Sequence, residues 1–241
     1  MPSWLPSTLR IALIIAMPFA LVLLVVKFLL SSDVFPKWEY NLPETAYTDQ
    51  YNLFKFPVDY YGFTKEDRLK IALVSIEYLN NNEDISFLAK LTIPQEKVVN
   101  TEVGTRMYND RELKHMEDVK AVVRAANTVM IIAWFIMLIS INTLGWGAET
   151  KLLLRSGLIV GSIVTAAALV GIVLFAVIGF STFFVLFHKI FFTGDTWLFN
   201  WYDTLIRCFP TKFWFDAFLW IGLGSLLEAA IVGVTAWFWK P

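Results

Sequence analysis

The sequence predicts an all-α membrane protein, with four transmembrane helices and a mixed, mainly helical extracytoplasmic domain between helices 1 and 2. Three observations predict it. Of 241 residues, 57% are hydrophobic and only 17% charged, against about 45–50% and about 25% in soluble domains. Four nearly uncharged stretches each supply the roughly 20 helical residues that cross about 30 Å of hydrocarbon. Between the first two stretches lie residues 31–121, which carry helical patterns of their own. A formal net charge of -1, from 20 basic against 21 acidic residues, provides no field for nucleic acid. The single cysteine, Cys208, excludes an internal disulfide and a four-cysteine zinc site.

The spans follow in order. Residues 11–30 contain Pro18, which should kink the helix, and one charge, Lys27, placed where it can snorkel. This run exceeds the roughly 7–15 apolar residues of a signal peptide and lacks a small-residue cleavage site, so it reads as a retained helix. Residues 122–144 carry Arg124 at one edge and are uncharged beyond it. Residues 156–180 have no charge, and Gly157, Gly161, Gly171 and Gly179 permit close helix contact. Residues 217–239 hold Glu228 near their middle and end in Trp237, Phe238 and Trp239, an interfacial aromatic cluster. An even number of spans puts both termini on one side. Lys151 and Arg155 in the short 145–155 connection, with Arg10 and Lys240, assign that side to the cytoplasm. The expected division is therefore 1–30, 31–121, 122–180, 181–216 as an extracytoplasmic loop, and 217–241.

Within the large segment, residues 33–63 are rich in aromatics, Pro, Asp and Asn without a sustained period, which predicts irregular or short extended structure. Residues 64–79 predict an amphipathic helix. Thr64 is its N-cap, Glu66 and Asp67 fill its first turn, Leu69, Ala72, Leu73, Ile76 and Leu79 recur at helical spacing, and three asparagines end it. Its apolar face is free to cover the bundle or lie in the lipid interface. Short alternating runs occur at Ile85–Phe87 and Leu91–Ile93. From Asn109 a helical pattern without Gly or Pro continues into the second span.

Only two side chains titrate near neutrality without a large shift, His115 and His188. Both fall at predicted membrane boundaries on the same side, so antiparallel spans can bring them together. The plainer alternative is a pair of interfacial polar-aromatic residues. Glu112 and Asp118 lie three residues either side of His115, able to orient its ring or to form an ordinary solvated face. Arg111, Lys114, Lys120 and Arg124 on the same helix can meet lipid head groups or simply snorkel. Asp195, Trp197, Asp203 and Arg207 populate the 181–216 segment as head-group candidates. Glu228 should point into the bundle, as a structural contact with Asn142, Ser140 or Thr165 as partners in preference to a proton path. No zinc-protease, nucleophile-elbow, phosphate-loop or dinucleotide motif is present, and no metal site or cofactor is expected.

Several motifs in order carry a resemblance. GFTKEDRLKIALVSIEYLNNN at 62–82, RELKHMEDVKAV at 111–122, FHKIFF followed by DTW at 187–197, and D-x-L-I-x-x-F-P at 203–210 resemble the lipoprotein intramolecular transacylase family. The resemblance implies a four-helix bacterial membrane enzyme whose site faces the extracytoplasmic side. It implies transfer of an acyl chain from the sn-2 ester of a diacylglyceryl-modified cysteine to that cysteine's own amine, giving a lyso-form lipoprotein. It also implies that His115 and His188 are the catalytic pair, and that membrane lipids and a diacylglyceryl lipoprotein are the partners. Two other classes fit the same residues: a protein that ligates haem or a metal through the histidines, and a non-catalytic subunit of a larger membrane complex.

Overall fold

The computed structural model describes residues 2–46, 51–99 and 103–241. Four helices are long and apolar enough to cross a membrane: α1 (Leu5–Ser31), α5 (Asp110–Leu144), α6 (Ala148–Ile178) and α9 (Thr211–Phe238). The intervening elements are α2 (Val34–Asn41), β1 (Glu44–Thr45), β2 (Phe56–Pro57), α3 (Lys65–Asn80), α4 (Ser86–Ala89), α7 (Phe180–Phe191) and α8 (Thr204–Cys208), with a 3-10 turn at Gln95–Lys97. The chain divides into two compact units.

The first unit comprises residues 2–27, 125–178 and 219–241. Leu13, Met17, Ala20 and Leu21 of α1 pack with Ala133, Met137 and Leu144 of α5, Leu154 of α6 and Ala229 of α9. Small residues set the helix spacing, because lipid tails supply no hydrophobic drive between apolar helices. A Cβ at Gly161 would lie 2.9 Å from Met17 Sδ, and one at Gly222 would lie 2.5 Å from Val173 Cγ2. Gly171, expected to serve the same purpose, faces open space. Side chains such as Ile131, Phe135, Ile163 and Leu227 point outward, the arrangement a lipid solvent favours. Arg10 Nε donates to Ser156 Oγ at 2.8 Å, and Arg155 donates to the carbonyls of Ala236 and Trp237. The start of α1 and the end of α9 therefore meet one turn of α6, as four spans require.

The second unit comprises residues 28–124 and 179–218. Its core joins Phe63, Ile71, Tyr78, Leu88, Tyr108, Met116, Leu205 and Cys208. The strands β1 and β2 pair in parallel, Glu44 opposite Phe56 and Thr45 opposite Pro57. Thr64 caps α3 in a reciprocal box with Asp67, satisfying two of the helix's unpaired N–H groups. The buried face of α3 is centred on Arg68, Ile71, Ala72, Ser75, Tyr78 and Leu79, rotated from the purely apolar face. The rotation is possible because its polar members are bonded inside: Arg68 Nη1 to the Pro57 carbonyl at 2.7 Å, and Ser75 Oγ to Tyr108 Oη at 2.8 Å. That face serves the unit's own core.

Three further readings change. Residues 33–63 contain the helix α2, whose Tyr40 hydroxyl donates to the Cys208 carbonyl. Ile85–Phe87 lies in a helical turn, while Thr92 bridges Arg106 as extended backbone. The 181–216 segment is largely helical, holding most of α7, all of α8 and the first turns of α9. Gly179, at φ -145 and ψ 57, interrupts the α6 path, and twelve residues free of Gly and Pro then resume as a separate helix.

Candidate active site

The site forms inside the second unit, on the first turns of α5, on α7 and on the segment that follows α7. Asn109 and Glu112 start α5 reciprocally: Asn109 N–H donates to Glu112 Oε2 at 2.8 Å, and Glu112 N–H donates to Asn109 Oδ1 at 2.9 Å. The other Glu112 oxygen accepts Leu205 N–H at 2.7 Å, tying α8 to α5. Asp203 accepts from the Asn109 amide at 3.0 Å and from Asn200 N–H at 2.7 Å. Arg207 forms a buried bidentate pair with Asp59, at 3.1 and 3.0 Å, and its guanidinium lies 3.4 Å from the Phe63 ring centre. These bonds hold the polypeptide on which His115 is mounted.

His188 sits on the buried face of α7, one helical repeat beyond Phe184 and two beyond Phe180. The imidazoles of His115 and His188 converge, with ring centres 6.2 Å apart and planes within 19° of parallel. Each residue is only 8% exposed. Phe192 lies 4.9 Å from His115 and 5.5 Å from His188; Phe199 lies 5.3 Å from His115; Phe184 and Trp197 lie 4.1 and 4.9 Å from His188. The pair is thus enclosed by aromatic rings.

The two rings differ in their bonding. His188 Nδ1 is 2.8 Å from the Phe184 carbonyl. A carbonyl only accepts, so this contact puts the proton on Nδ1 and leaves the Nε2 lone pair bare. Burial lowers the His188 pKa below the ordinary 6.5, with the Phe184 carbonyl pulling partly the other way. His115 Nδ1 is buried without a partner among the described residues.

The companion residues mostly do other work. Glu112 holds Leu205 and Asn109 rather than fixing the His115 tautomer, and Asp118 pairs with Lys114 at 3.0 Å. Arg111 donates to the Leu198 carbonyl at 3.0 Å. Lys120 is buried, donating to Asn81 and to the Glu83 carbonyl, with its ammonium 3.8 Å from the Tyr78 ring centre, so it does not reach toward a head group. Asp195 is exposed in the Gly194 turn, its carbonyl accepting Leu198 N–H. Trp197 joins the aromatic enclosure. In the first unit, Glu228 Oε2 has no hydrogen-bond partner among the described residues. Its expected partners look elsewhere, Asn142 and Thr165 bonding carbonyls of their own helices. The described residues contain no group of three or more His, Cys, Asp or Glu arranged to hold a metal ion.

Sequence reasoning missed the enclosure by Phe192 and Phe199, whose aromatic character alone is too common to stand out. It also missed a buried trio in the second unit, Glu39, Lys212 and Asp216. Lys212 pairs with Asp216, a contact signalled only by four-residue spacing. Glu39 is buried with neither carboxyl oxygen hydrogen-bonded among the described residues; burial first, and the neighbouring Asp216 carboxyl second, raise its pKa from 4.5 to about 9, which favours the protonated form.

These features define the class first: a multi-pass membrane protein with a buried, aromatic-walled histidine pair. The comparisons give the family. Residues 11–214 match the family described as lipoprotein intramolecular transacylase Lit, and the chain belongs to that family. A protein of Aquifex aeolicus, named only as uncharacterized, is 29% identical over 204 residues, covering 83% of this chain and 81% of its own. The fold resembles the in meso structure of the membrane integral lipoprotein intramolecular transacylase of Bacillus cereus, with 20% identity, 96% and 94% coverage and a TM-score of 0.58. A histidine-to-alanine variant of that protein gives 21% identity, 97% and 93% coverage and a TM-score of 0.65. At these identities the likeness is one of fold.

Proposed function

We propose that this protein moves the sn-2 acyl chain of a diacylglyceryl-modified cysteine onto the same cysteine's α-amine, producing a lyso-form lipoprotein, with His115 and His188 as its acid/base pair. The carrying observation is the convergence of the imidazoles at 6.2 Å inside one aromatic enclosure. Family membership supports the reaction class.

The chemistry asks for proton transfer and alignment. An α-ammonium, with an ordinary pKa of about 7.7–8.0, must lose a proton to attack, and the departing glyceryl oxygen must gain one. His188 Nε2 is the base of this proposal, because the Phe184 carbonyl holds the proton on the other nitrogen. His115 is the companion that polarises the ester or relays the proton to the leaving oxygen. Holding amine and ester in register supplies much of the remaining acceleration, since effective molarities of aligned intramolecular partners reach about 10⁵–10⁸ M. The aromatic walls exclude water, which would otherwise take the acyl group. The substrate's acyl chains account for four membrane spans. With the termini in the cytoplasm, the second unit, built from 28–124 and 179–218, faces the extracytoplasmic side, where membrane lipids and the lipoprotein's modified terminus meet it.

The test replaces each histidine singly by alanine and reads lipoprotein N-terminal peptides by mass spectrometry. Loss of the lyso form in both variants is expected. Full conversion by both overturns the mechanism.

A further inference from the structure

The histidine enclosure and its flanking turn hold polar atoms that nothing among the described residues satisfies. His115 Nδ1, Thr196 Oγ1 and Trp197 Nε1 are each closed off from solvent without a hydrogen-bond partner among the described residues. An unpaired buried polar group is costly, and native structures pair the large majority of such groups. Trp197 is the most informative, because an indole nitrogen is a donor only. Its missing partner must therefore be an acceptor atom, and solvent does not reach it. The Trp197 ring centre lies 4.9 Å from that of His188, beside the imidazole whose Nε2 is bare. A water-excluded donor with no partner among the described residues has the properties required to stabilise charge that appears only during reaction.

We propose that the Nε1–H of Trp197 donates to the acyl carbonyl oxygen as that oxygen becomes negative, making Trp197 a third catalytic residue. This rests on the acid/base reading of the histidine pair. The amine nitrogen forms a bond to the ester carbon while its proton passes to His188 Nε2. The carbonyl π electrons move onto oxygen, where the indole N–H meets them. Collapse reforms the carbonyl and breaks the bond to the glyceryl oxygen, which leaves with the electron pair and takes the proton from the imidazolium. One ester becomes one amide and one hydroxyl, with no net redox change and no co-reactant.

The experiment measures turnover of a synthetic diacylglyceryl lipopeptide by the full chain and its Trp197→Phe variant. Replacing indole by phenyl should lower kcat by about 10²–10³-fold, the effect of losing one such donor. KM should stay within about threefold and the acid limb of the pH profile should not move, a split that a purely structural role would not produce. If Trp197→Phe does not fold, 3-benzothienylalanine placed at 197 alone exchanges N–H for sulfur and preserves the ring. A folded variant of either kind whose kcat stays within about threefold of the parent overturns the proposal, as does a loss carried by KM alone. His115→Ala and His188→Ala run alongside. If these are inactive while the position-197 variants are fully active, only the indole role falls; if the histidine variants keep full activity, both readings fall.

Discussion

The two units of this chain are held together by different physics. In the first, helices approach through glycines, Gly161 against Met17 and Gly222 against Val173. In the second, charged side chains are buried and matched to partners far along the chain, Arg207 with Asp59 and Lys120 with Asn81 and Glu83. The contrast teaches that lipid-facing helices are set by how closely backbones pass, whereas the site-bearing unit is set by a few long-range polar bonds. Each of those bonds is a single point of failure.

The largest expected effect lies at the histidines and tests whether the second unit's polar atoms act chemically as well as structurally. His188→Ala should reduce turnover by about 10²–10⁴-fold while the unfolding midpoint in detergent stays close to that of the parent. The parent's initial rate against pH refines this. In the proposed role His188 acts as a neutral base, and burial holds its pKa below the usual value, so the acid limb should fall below about 6.5. A limb above that value contradicts the enclosed geometry. Next, Asp59→Ala strands the buried Arg207 charge and should cost about 3–5 kcal/mol, read as a lowered unfolding midpoint. Glu228→Gln, where Oε2 has no partner among the described residues, should change stability by less than about 1 kcal/mol. Equal losses from these two variants would break the comparison. The glycines probe the first unit's close helix approach. Gly222→Ala pushes a methyl into the stiff, branched Val173 and should destabilise by about 1–3 kcal/mol. Gly171→Ala meets open space and should stabilise by about 0.8–1 kcal/mol through helix propensity.

Much of this was legible in the sequence because it is local. Apolar runs located the four spans, the Thr64–Asp67 cap located the start of α3, and the Gly- and Pro-free stretch after Asn109 located the entry to α5. The helices run further than the apolar spans, α1 from Leu5 and α6 from Ala148, because polar flanks continue a helix without contributing hydropathy. The approach of His115 to His188 followed from span topology and the family resemblance. What escaped depends on partners distant in sequence. Glu112 meets Leu205 across 93 positions and Arg207 meets Asp59 across 148, distances over which spacing carries no signal. The helix α7 escaped because a single glycine separates it from the preceding span, and continuous hydrophobicity hides such a break.

The burial of Glu39 near Asp216 has a thermodynamic signature. With a folded pKa of about 9 against 4.5 when free, Glu39 holds a proton in the native protein at neutral pH and surrenders it when the chain opens. Unfolding at pH 7 should therefore acidify a weakly buffered medium by close to one equivalent from this residue. By linkage, its share of the stability is complete below 4.5 and drains away as alkalinity climbs toward 9. Glu39→Gln, neutral in both states, should abolish that release.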